Sequence, residues 1–279
     1  PVRTGKSTFI KRFMDLMVLP FMEDEFVRAR AVDELPQSGS GRTIMTTQPK
    51  FVPNEAVKLT LEKAELRVRL VDCVGYLIPG VLGLNEGDES RMVRTPWFDH
   101  DIPFEDAAEI GTRKVIQEHS TIGVVITTDG SVVDMPRSAY KEAEERVVRE
   151  LKALGKPFAV VLNSKLPDGA DALKLKDELR EKYAVPVLST DVENMTIENV
   201  NALMESMLFE FPLREIRIHA PSWLTSLSDD HWLGKSIFGA VRGCADKLRR
   251  VRDTDVLKDA LSENEFTEDV LPGEINLNE

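Results

Sequence analysis

The sequence predicts an α/β fold whose core is a doubly wound, mostly parallel sheet. Two short apolar runs, at 123–126 and 158–162, have the length and composition of buried parallel strands. Patterns typical of charged amphipathic helices separate the apolar runs, and strands that alternate with helices at this spacing form doubly wound sheets. A third observation is a phosphate-binding motif at the start of the chain, which in such sheets lies where a strand turns into a helix.

The remaining elements of this sheet follow from their patterns in chain order. Apolar residues at helical spacing predict a helix over 9–17, and the charged, then Ser-, Gly- and Thr-rich stretch 23–48 is predicted to be a mobile loop. Alternating apolar residues predict an antiparallel pair at 57–61 and 66–71, and the stretch 77–106 is predicted to be irregular. Further patterns predict helices at 107–119, 137–154, 172–182 and 196–209, and strands at 121–128, 156–162 and 185–188.

A second, partial α/β domain is predicted to begin at residue 213, after Pro212 ends the last helix of the sheet. Residues 214–219 have the pattern of a strand, and a helix is predicted from about residue 231 through residue 251. Its apolar stripe consists of Ile237, Val241, Cys244, Leu248 and Val251. Basic residues beside this stripe are interpreted as a solvated or interface face: Arg242, Lys247, Arg249, Arg250 and Arg252.

The composition argues against several classes of protein. The chain has 279 residues and a formal net charge of −12, which disfavours nucleic acid as a partner because nucleic-acid phosphates are bound through Lys and Arg. Its two cysteines, Cys73 and Cys244, lack the spacing of a zinc site or a disulfide framework, so a reducing, cytoplasmic setting is expected. The longest apolar runs are too short to cross a bilayer.

The first residues contain most of a phosphate-binding loop, G-x-x-x-x-G-K-[ST]. In this motif backbone N–H groups surround the β-phosphate, the Lys reaches the β- and γ-phosphates, and the hydroxyl binds Mg²⁺. Gly5, Lys6 and Ser7 occupy its last three positions, and its first Gly would stand just before Pro1. We therefore expect an N-terminally truncated chain whose sheet lacks its first strand. The residues predicted to bind nucleotide are Arg3, Thr4, Gly5, Lys6, Ser7 and Thr8, with Ser7 as a Mg²⁺ ligand.

A D-x-x-G motif, Asp72 to Gly75, follows the predicted strand at 66–71. In phosphate-binding-loop enzymes this Asp holds Mg²⁺ through water, and the Gly N–H meets the γ-phosphate. The position of the motif matches Ras-like nucleotidases, so the sheet is predicted to be a Ras-like P-loop NTPase sheet. Asp72 is a candidate catalytic residue and Mg²⁺ ligand, Lys6 is a candidate catalytic residue, and Gly75 is a candidate nucleotide contact.

A switch loop between the two motifs should supply a Thr whose hydroxyl binds Mg²⁺ and whose backbone binds the γ-phosphate. Thr43, Thr46 and Thr47 are the candidates. Thr46 and Thr47 are preferred because they directly precede the edge-strand region. We predict both as catalytic residues, with Thr47 as the Mg²⁺ ligand.

The base-reading loop departs from the guanine-specific pattern Asn-Lys-x-Asp. Asn163 is a candidate nucleotide contact, but Leu166 stands where the Asp would accept two hydrogen bonds from guanine. Losing that pair should cost about 3 kcal/mol, or about a hundredfold in affinity. ATP is therefore predicted over GTP, with Asp168 as an alternative reader of guanine. Tyr76 occupies the position of the usual water-orienting Gln, so hydrolysis is expected to be slow or to use a group from elsewhere.

Several long stretches resemble the stage IV sporulation protein A family: RTGKSTFIKRFM, RTIMTTQPKFVPNEA, VRLVDCVGY, EIGTRKVIQEHSTIGVVITTDG and EAEERVVRELKALGKPFAVVLNS. The resemblance covers essentially the whole chain. It implies a translation-factor-related P-loop domain at 1–212 that uses ATP and Mg²⁺, and the start of a middle domain at 213–279. It also implies nucleotide binding by Lys6 and a hydrolysis-sensing role for Thr46 and Thr47.

The resemblance further implies that ATP hydrolysis drives self-assembly into a polymer. This polymer would form the basement layer of the spore coat on the outer forespore membrane, at its mother-cell face. A small amphipathic membrane-anchoring protein and other coat proteins are the implied partners. The family has a strand before the loop and a C-terminal region that contacts the anchoring protein, and we expect both to be missing from this chain. A regulatory Ras-like GTPase switch and a nucleotide-binding scaffold without hydrolysis are the alternatives.

Overall fold

A computed structural model describes residues 1–22, 24–36, 49–61, 64–86, 89–228, 230–271 and 273 of the protein. The chain divides into two compact units, Pro1–Met204 and Glu205–Glu279. The larger unit mixes helices with a parallel three-stranded sheet, and this arrangement is compatible with a P-loop NTPase fold. The predicted α/β class is confirmed at this level.

The first helix, α1, spans Lys6–Phe13 and continues through a π-helical turn, Met14–Val18, and a 3-10 turn, Leu19–Phe21. Its apolar side chains are buried, as their spacing predicts. A second helix, α2, spans Glu25–Asp33 inside the stretch predicted to be a mobile loop, so that prediction is wrong for these residues. The reason is local, because the Asp24 carboxylate accepts hydrogen bonds from the first backbone N–H groups of the helix.

The predicted antiparallel pair consists of β1, Lys50–Leu61, and β2, Ala64–Asp72. Lys50 pairs with Asp72, so β2 ends at the Asp of the D-x-x-G motif. The chain that follows is mostly irregular, as predicted. It contains only short strands, which are β3 (Asn85–Glu86), β4 (Glu89–Ser90), β5 (Met92–Val93) and β6 (Ile102–Pro103).

The parallel sheet is formed by strands that alternate with helices. In chain order the elements are α3 (Phe104–Lys114), β7 (Gly123–Thr128), α4 (Lys141–Ala153), β8 (Phe158–Asn163), α5 (Ala170–Tyr183), β9 (Val187–Thr190) and α6 (Ile197–Leu208). The strand order is β7-β8-β9, and the register aligns Thr128 with Asn163 and Asn163 with Thr190. The predicted elements are confirmed with slightly different bounds. The carboxyl ends of the strands meet at one edge, where doubly wound sheets bind ligands.

A buried carboxylate, Glu144, connects α4 to β7 and α5 in the core. Glu144 is fully buried, and its carboxylate accepts one hydrogen bond from the Arg137 guanidinium, at 2.8 Å. A second guanidinium nitrogen of Arg137 lies 2.7 Å from the other carboxylate oxygen and completes the ion pair. The hydroxyls of Thr127 in β7 and Tyr183 in α5 donate to the same carboxylate. Burial alone would raise the pKa of Glu144, but Arg137 and these hydrogen bonds outweigh it, so the pKa is lowered.

The smaller unit is helical over the residues that the structure describes. Its helices are α7 (Ser222–Thr225), α8 (Trp232–Cys244) and α9 (Thr254–Ser262). The predicted apolar stripe of α8 finds its partner surface in α9, where Leu257 and Leu261 pack with Cys244. No helix in the described part of the chain has the length and apolar character needed to cross a bilayer.

Two predictions for the smaller unit are wrong. Residues 214–219 form no strand, because no described segment pairs with them. The β-pairing described next to them is one isolated bridge, between Pro212 and Arg250. The predicted helix ends at Cys244, where a 3-10 turn, Ala245–Lys247, redirects the chain. A partial α/β character for this unit therefore stays a prediction.

Part of the basic cluster beside the stripe has a structural role. Arg252 donates to the buried Glu210 carboxylate at 2.7 Å, and Arg250 binds its other oxygen. Since a buried carboxylate needs a charged partner, these two arginines stabilise the smaller unit. Arg242, Lys247 and Arg249 are exposed, as the predicted solvated face requires.

Replacing Glu144 by Gln is expected to lower the free energy of unfolding at pH 7 by about 3 kcal/mol, because the partly buried Arg137 guanidinium loses its counter-charge. The folded pKa of the carboxylate lies below its ordinary, unfolded value, so its stabilisation is present above the unfolded pKa and is lost as the pH falls through the folded pKa. The difference in the free energy of unfolding between wild type and variant should therefore shrink as the pH falls into the acid range. Urea unfolding followed by circular dichroism measures this difference. Glu142→Gln, at an exposed position of the same helix, is the control, and equal losses in both variants would contradict this role.

Candidate nucleotide-binding site

The N-terminal loop has a backbone conformation that favours anion binding. Arg3 and Gly5 have φ values of 58° and 94°, in the left-handed region, and α1 begins directly after Gly5. Consecutive N–H groups in such a loop, followed by a helix N-terminus, form a concave site for anions. Gly5 also allows close packing, since a Cβ there would lie 2.5 Å from Asn163 Nδ2.

Lys6 lies between this loop and the D-x-x-G motif. Its Nζ donates to the Pro1 carbonyl at 2.5 Å, and a Cβ on Gly75 would lie 2.9 Å from the same Nζ. Burial lowers the pKa of Lys6, while the nearby Asp72 carboxylate opposes that shift. A buried ammonium group beside an anion-binding loop is arranged to neutralise a phosphate.

Ser7 and Asp72 make the contact expected of a Mg²⁺ site. The Ser7 hydroxyl donates to Asp72 Oδ2 at 2.9 Å, and Asp72 is only 2% exposed. Burial raises the pKa of Asp72, although Lys6 and the Ser7 hydrogen bond oppose the shift. The second carboxylate oxygen, Oδ1, is buried and accepts no hydrogen bond from the residues that the structure describes. Because such an atom is costly to leave unsatisfied, and hydroxyl and carboxylate oxygens suit Mg²⁺, these residues fit that ion.

Asn163 joins the loops at the carboxyl edge of the sheet. Its Nδ2 donates to the Thr4 carbonyl at 3.0 Å, and its Oδ1 accepts from the Val192 N–H at 3.1 Å. The side chain is buried, so it connects the phosphate-binding loop to the segment after β9. Its predicted contact with nucleotide stays a prediction.

The base-reading segment presents an apolar side chain where guanine-specific enzymes have a carboxylate. Leu166 is 75% exposed at that position, and Asp168 is exposed two residues later. The neighbouring Ser164 hydroxyl donates to Asp129 at 2.6 Å, which fixes the start of the segment against the end of β7. This local geometry offers no buried acceptor at residue 166 for a guanine ring.

The structure brings some of the predicted site residues together and leaves others undescribed. Lys6, Ser7, Asp72 and Gly75 converge, with Thr8 in the first turn of α1. The switch candidates Thr43, Thr46 and Thr47 lie outside the described residues, so their roles stay predictions.

Two contacts around the D-x-x-G motif were not predicted. The Gly75 N–H donates to the Thr112 hydroxyl of α3 at 3.1 Å. Tyr76 is buried, its hydroxyl donates to Glu150 at 2.5 Å, and the Arg146 guanidinium lies 4.0 Å from its ring centroid. The Tyr76 side chain therefore belongs to the core, and its lack of a role in orienting water stays a prediction.

Gly5→Ala should weaken the loop more than Gly155→Ala does. Both glycines have positive φ, but a Cβ at Gly155 would meet nothing within 4 Å, whereas one at Gly5 would collide with Asn163. We expect Gly155→Ala to cost about 1 kcal/mol from backbone strain alone, and Gly5→Ala to cost more and to abolish nucleotide binding. Urea unfolding and titration with a fluorescent ATP analogue measure the two effects. Equal costs and unchanged binding would contradict the tight packing at Gly5.

Comparison with known proteins identifies the family. The family model for the ATPase domain of stage IV sporulation protein A matches residues 1–212, and the model for its middle domain matches residues 213–279. No solved structure matches significantly.

The chain is similar to two curated proteins named stage IV sporulation protein A. It is 52% identical to the Bacillus subtilis (strain 168) protein over 268 residues, which cover 96% of this chain and 54% of the relative. It is 49% identical to the Clostridioides difficile (strain 630) protein over 280 residues, which cover 100% of this chain and 57% of the relative. The chain thus spans about half the length of these relatives. The chain belongs to the stage IV sporulation protein A family.

Proposed function

We propose that the chain hydrolyses ATP to ADP and phosphate, using Mg²⁺ held beside the N-terminal loop. The contact between Ser7 and Asp72, whose other carboxylate oxygen is buried with no donor among the described residues, is the observation that supports this most directly. The match to an ATPase-domain family model supports the same activity.

Each residue of the site has a role in this proposal. The backbone N–H groups of the loop and of the α1 N-terminus bind the β-phosphate, and the Lys6 ammonium neutralises the β- and γ-phosphate oxygens. The Ser7 hydroxyl and the Asp72 carboxylate hold Mg²⁺. When bound, the ion offsets charge that develops on the phosphate oxygens. Thr46 and Thr47 are proposed to contact the ion and the γ-phosphate.

Adenine is proposed as the base because the exposed Leu166 offers guanine no acceptor. In a guanine-specific site the carboxylate at this position raises the affinity for GTP about a hundredfold. Without that carboxylate the site loses its main means of preferring GTP. The regulatory GTPase switch is therefore not favoured.

Hydrolysis is proposed to be coupled to self-assembly. Tyr76 stands where related nucleotidases have a water-orienting Gln, and its side chain is committed to Glu150 and Arg146. A group from a neighbouring copy would complete the site, so that turnover accompanies polymer formation. The names of the relatives place those proteins in sporulation. We propose that the polymer is the basement layer of the spore coat at the forespore outer membrane, with a membrane-anchoring protein and other coat proteins as partners.

Phosphate release per subunit, measured at rising protein concentration with Mg·ATP, tests this proposal. The rate per subunit should rise with concentration if a neighbour completes the site. Lys6→Ala should reduce release by about a hundredfold at every concentration, because the phosphates lose their main cation. Lys11→Ala, an exposed lysine in the same helix, is the matched control and should behave as the wild type.

The concentration series and the Lys6→Ala variant test different parts of the proposal. A flat rate per subunit in the wild type would contradict completion of the site by a neighbour while leaving the ATPase intact. Retained turnover in Lys6→Ala would contradict the assignment of the phosphate-binding loop.

A further inference from the structure

The Gly75 N–H makes a hydrogen bond that the D-x-x-G motif does not require. It donates to the Thr112 hydroxyl of α3 at 3.1 Å, and both residues are buried. Ser and Thr hydroxyls inside a helix commonly bond to a carbonyl of their own helix. Here the hydroxyl oxygen instead accepts from a different segment, at the residue whose N–H is expected to meet a terminal phosphate.

Gly75 contacts the phosphate-binding loop on one side and α3 on another. A Cβ on this residue would lie 2.9 Å from Lys6 Nζ and 3.1 Å from the Pro1 carbonyl, so a side chain here would point at the phosphate-binding loop. Its N–H points to Thr112 on α3. The φ of 89° is one that glycine adopts easily, so the peptide group before Gly75 can reorient without side-chain strain.

The residues on both sides of Gly75 are fixed. Val74 is buried, the Tyr76 carbonyl accepts from the Val2 N–H at 3.0 Å, and the Tyr76 hydroxyl is bound to Glu150. A reorientation of the peptide group between Val74 and Gly75 would change the hydrogen bond to Thr112 and the contact of the same N–H with the Cys73 thiol. The contacts of Tyr76 with Val2 and Glu150 do not involve this peptide group.

We propose that the Thr112 hydroxyl competes with the terminal phosphate for the Gly75 N–H, and so sets how strongly the site prefers a nucleoside triphosphate over a diphosphate. This inference rests on the proposed function. One N–H makes one strong hydrogen bond at a time, so a triphosphate gains this bond only by displacing Thr112. A diphosphate has no γ-phosphate and leaves the bond to Thr112 intact. Thr112 is thus a positioning residue for the switch.

Thr112→Val keeps the side-chain shape and removes the acceptor, and Thr112→Ser keeps the acceptor. Titration with fluorescent ADP and with a non-hydrolysable fluorescent ATP analogue measures both affinities. In Thr112→Val the ratio of triphosphate to diphosphate affinity should rise about tenfold, which is 1.4 kcal/mol, because displacement no longer breaks a bond. In Thr112→Ser the ratio should stay at the wild-type value.

A purely structural role for Thr112 would lower both affinities alike, so an unchanged ratio in Thr112→Val overturns the inference. Unfolding in urea without nucleotide gives an independent readout. Thr112→Val should be less stable than Thr112→Ser because the buried Gly75 N–H loses its partner. Equal stabilities would also count against the contact.

A second measurement on the wild type does not depend on the folding of a variant. The Gly75 amide resonance in nuclear magnetic resonance should move when the non-hydrolysable ATP analogue is added and stay in place with ADP. The same resonance position with both nucleotides overturns the inference. If the wild type binds neither nucleotide, the proposed function itself fails, and this inference fails with it.

Discussion

The contact between the start of α1 and the end of β2 is the constraint on which the candidate site depends. Ser7 lies in the first turn of the helix, and Asp72 is the last residue of the strand. Their hydrogen bond joins two segments that are distant in the sequence, and the other Asp72 oxygen is buried with no donor among the described residues. Lys6 adds a buried positive charge beside them. A site with an unsatisfied oxygen and a desolvated ammonium group is electrostatically prepared for a metal ion and an anionic ligand.

The rest of the larger unit holds that contact in place. Asn163 binds the phosphate-binding loop to the segment after β9, so the loop is fixed to the carboxyl edge of the parallel sheet. Tyr76 binds α4 through Glu150 while its carbonyl binds Val2. Gly75 lies between these contacts with a φ of 89°, in the region that glycine adopts without side-chain strain. Rigid surroundings and one adjustable peptide group are the physical requirements of a switch that responds to a single phosphate.

The parts of the fold and the site that depend on local patterns could be predicted from the sequence. The strands of the parallel sheet are continuous apolar runs, and Lys6, Ser7 and Asp72 stand in spaced motifs. Helix α2 was missed because Ala31 is its only buried residue among those described, so it has no apolar stripe. The capping residue Asp24 was the available signal.

Features that depend on tertiary contacts could not be predicted in this way. Thr112 belongs to no motif, and its bond to Gly75 exists only because α3 packs against the end of the D-x-x-G segment. The strand expected at 214–219 fails for a related reason, because a strand requires a partner and sequence alternation does not supply one. The choice of ATP over GTP rests on one side chain, Leu166, and on the geometry around it.

Phosphate release from Mg·ATP and from Mg·GTP, measured side by side on the wild-type chain at equal protein concentration, tests whether this site uses ATP. Release should be faster from ATP, because Leu166 stands where a guanine-specific site has the carboxylate that recognises guanine. Faster release from GTP would mean that Asp168 or another group reads guanine, and it would contradict the assignment of an ATP-driven enzyme.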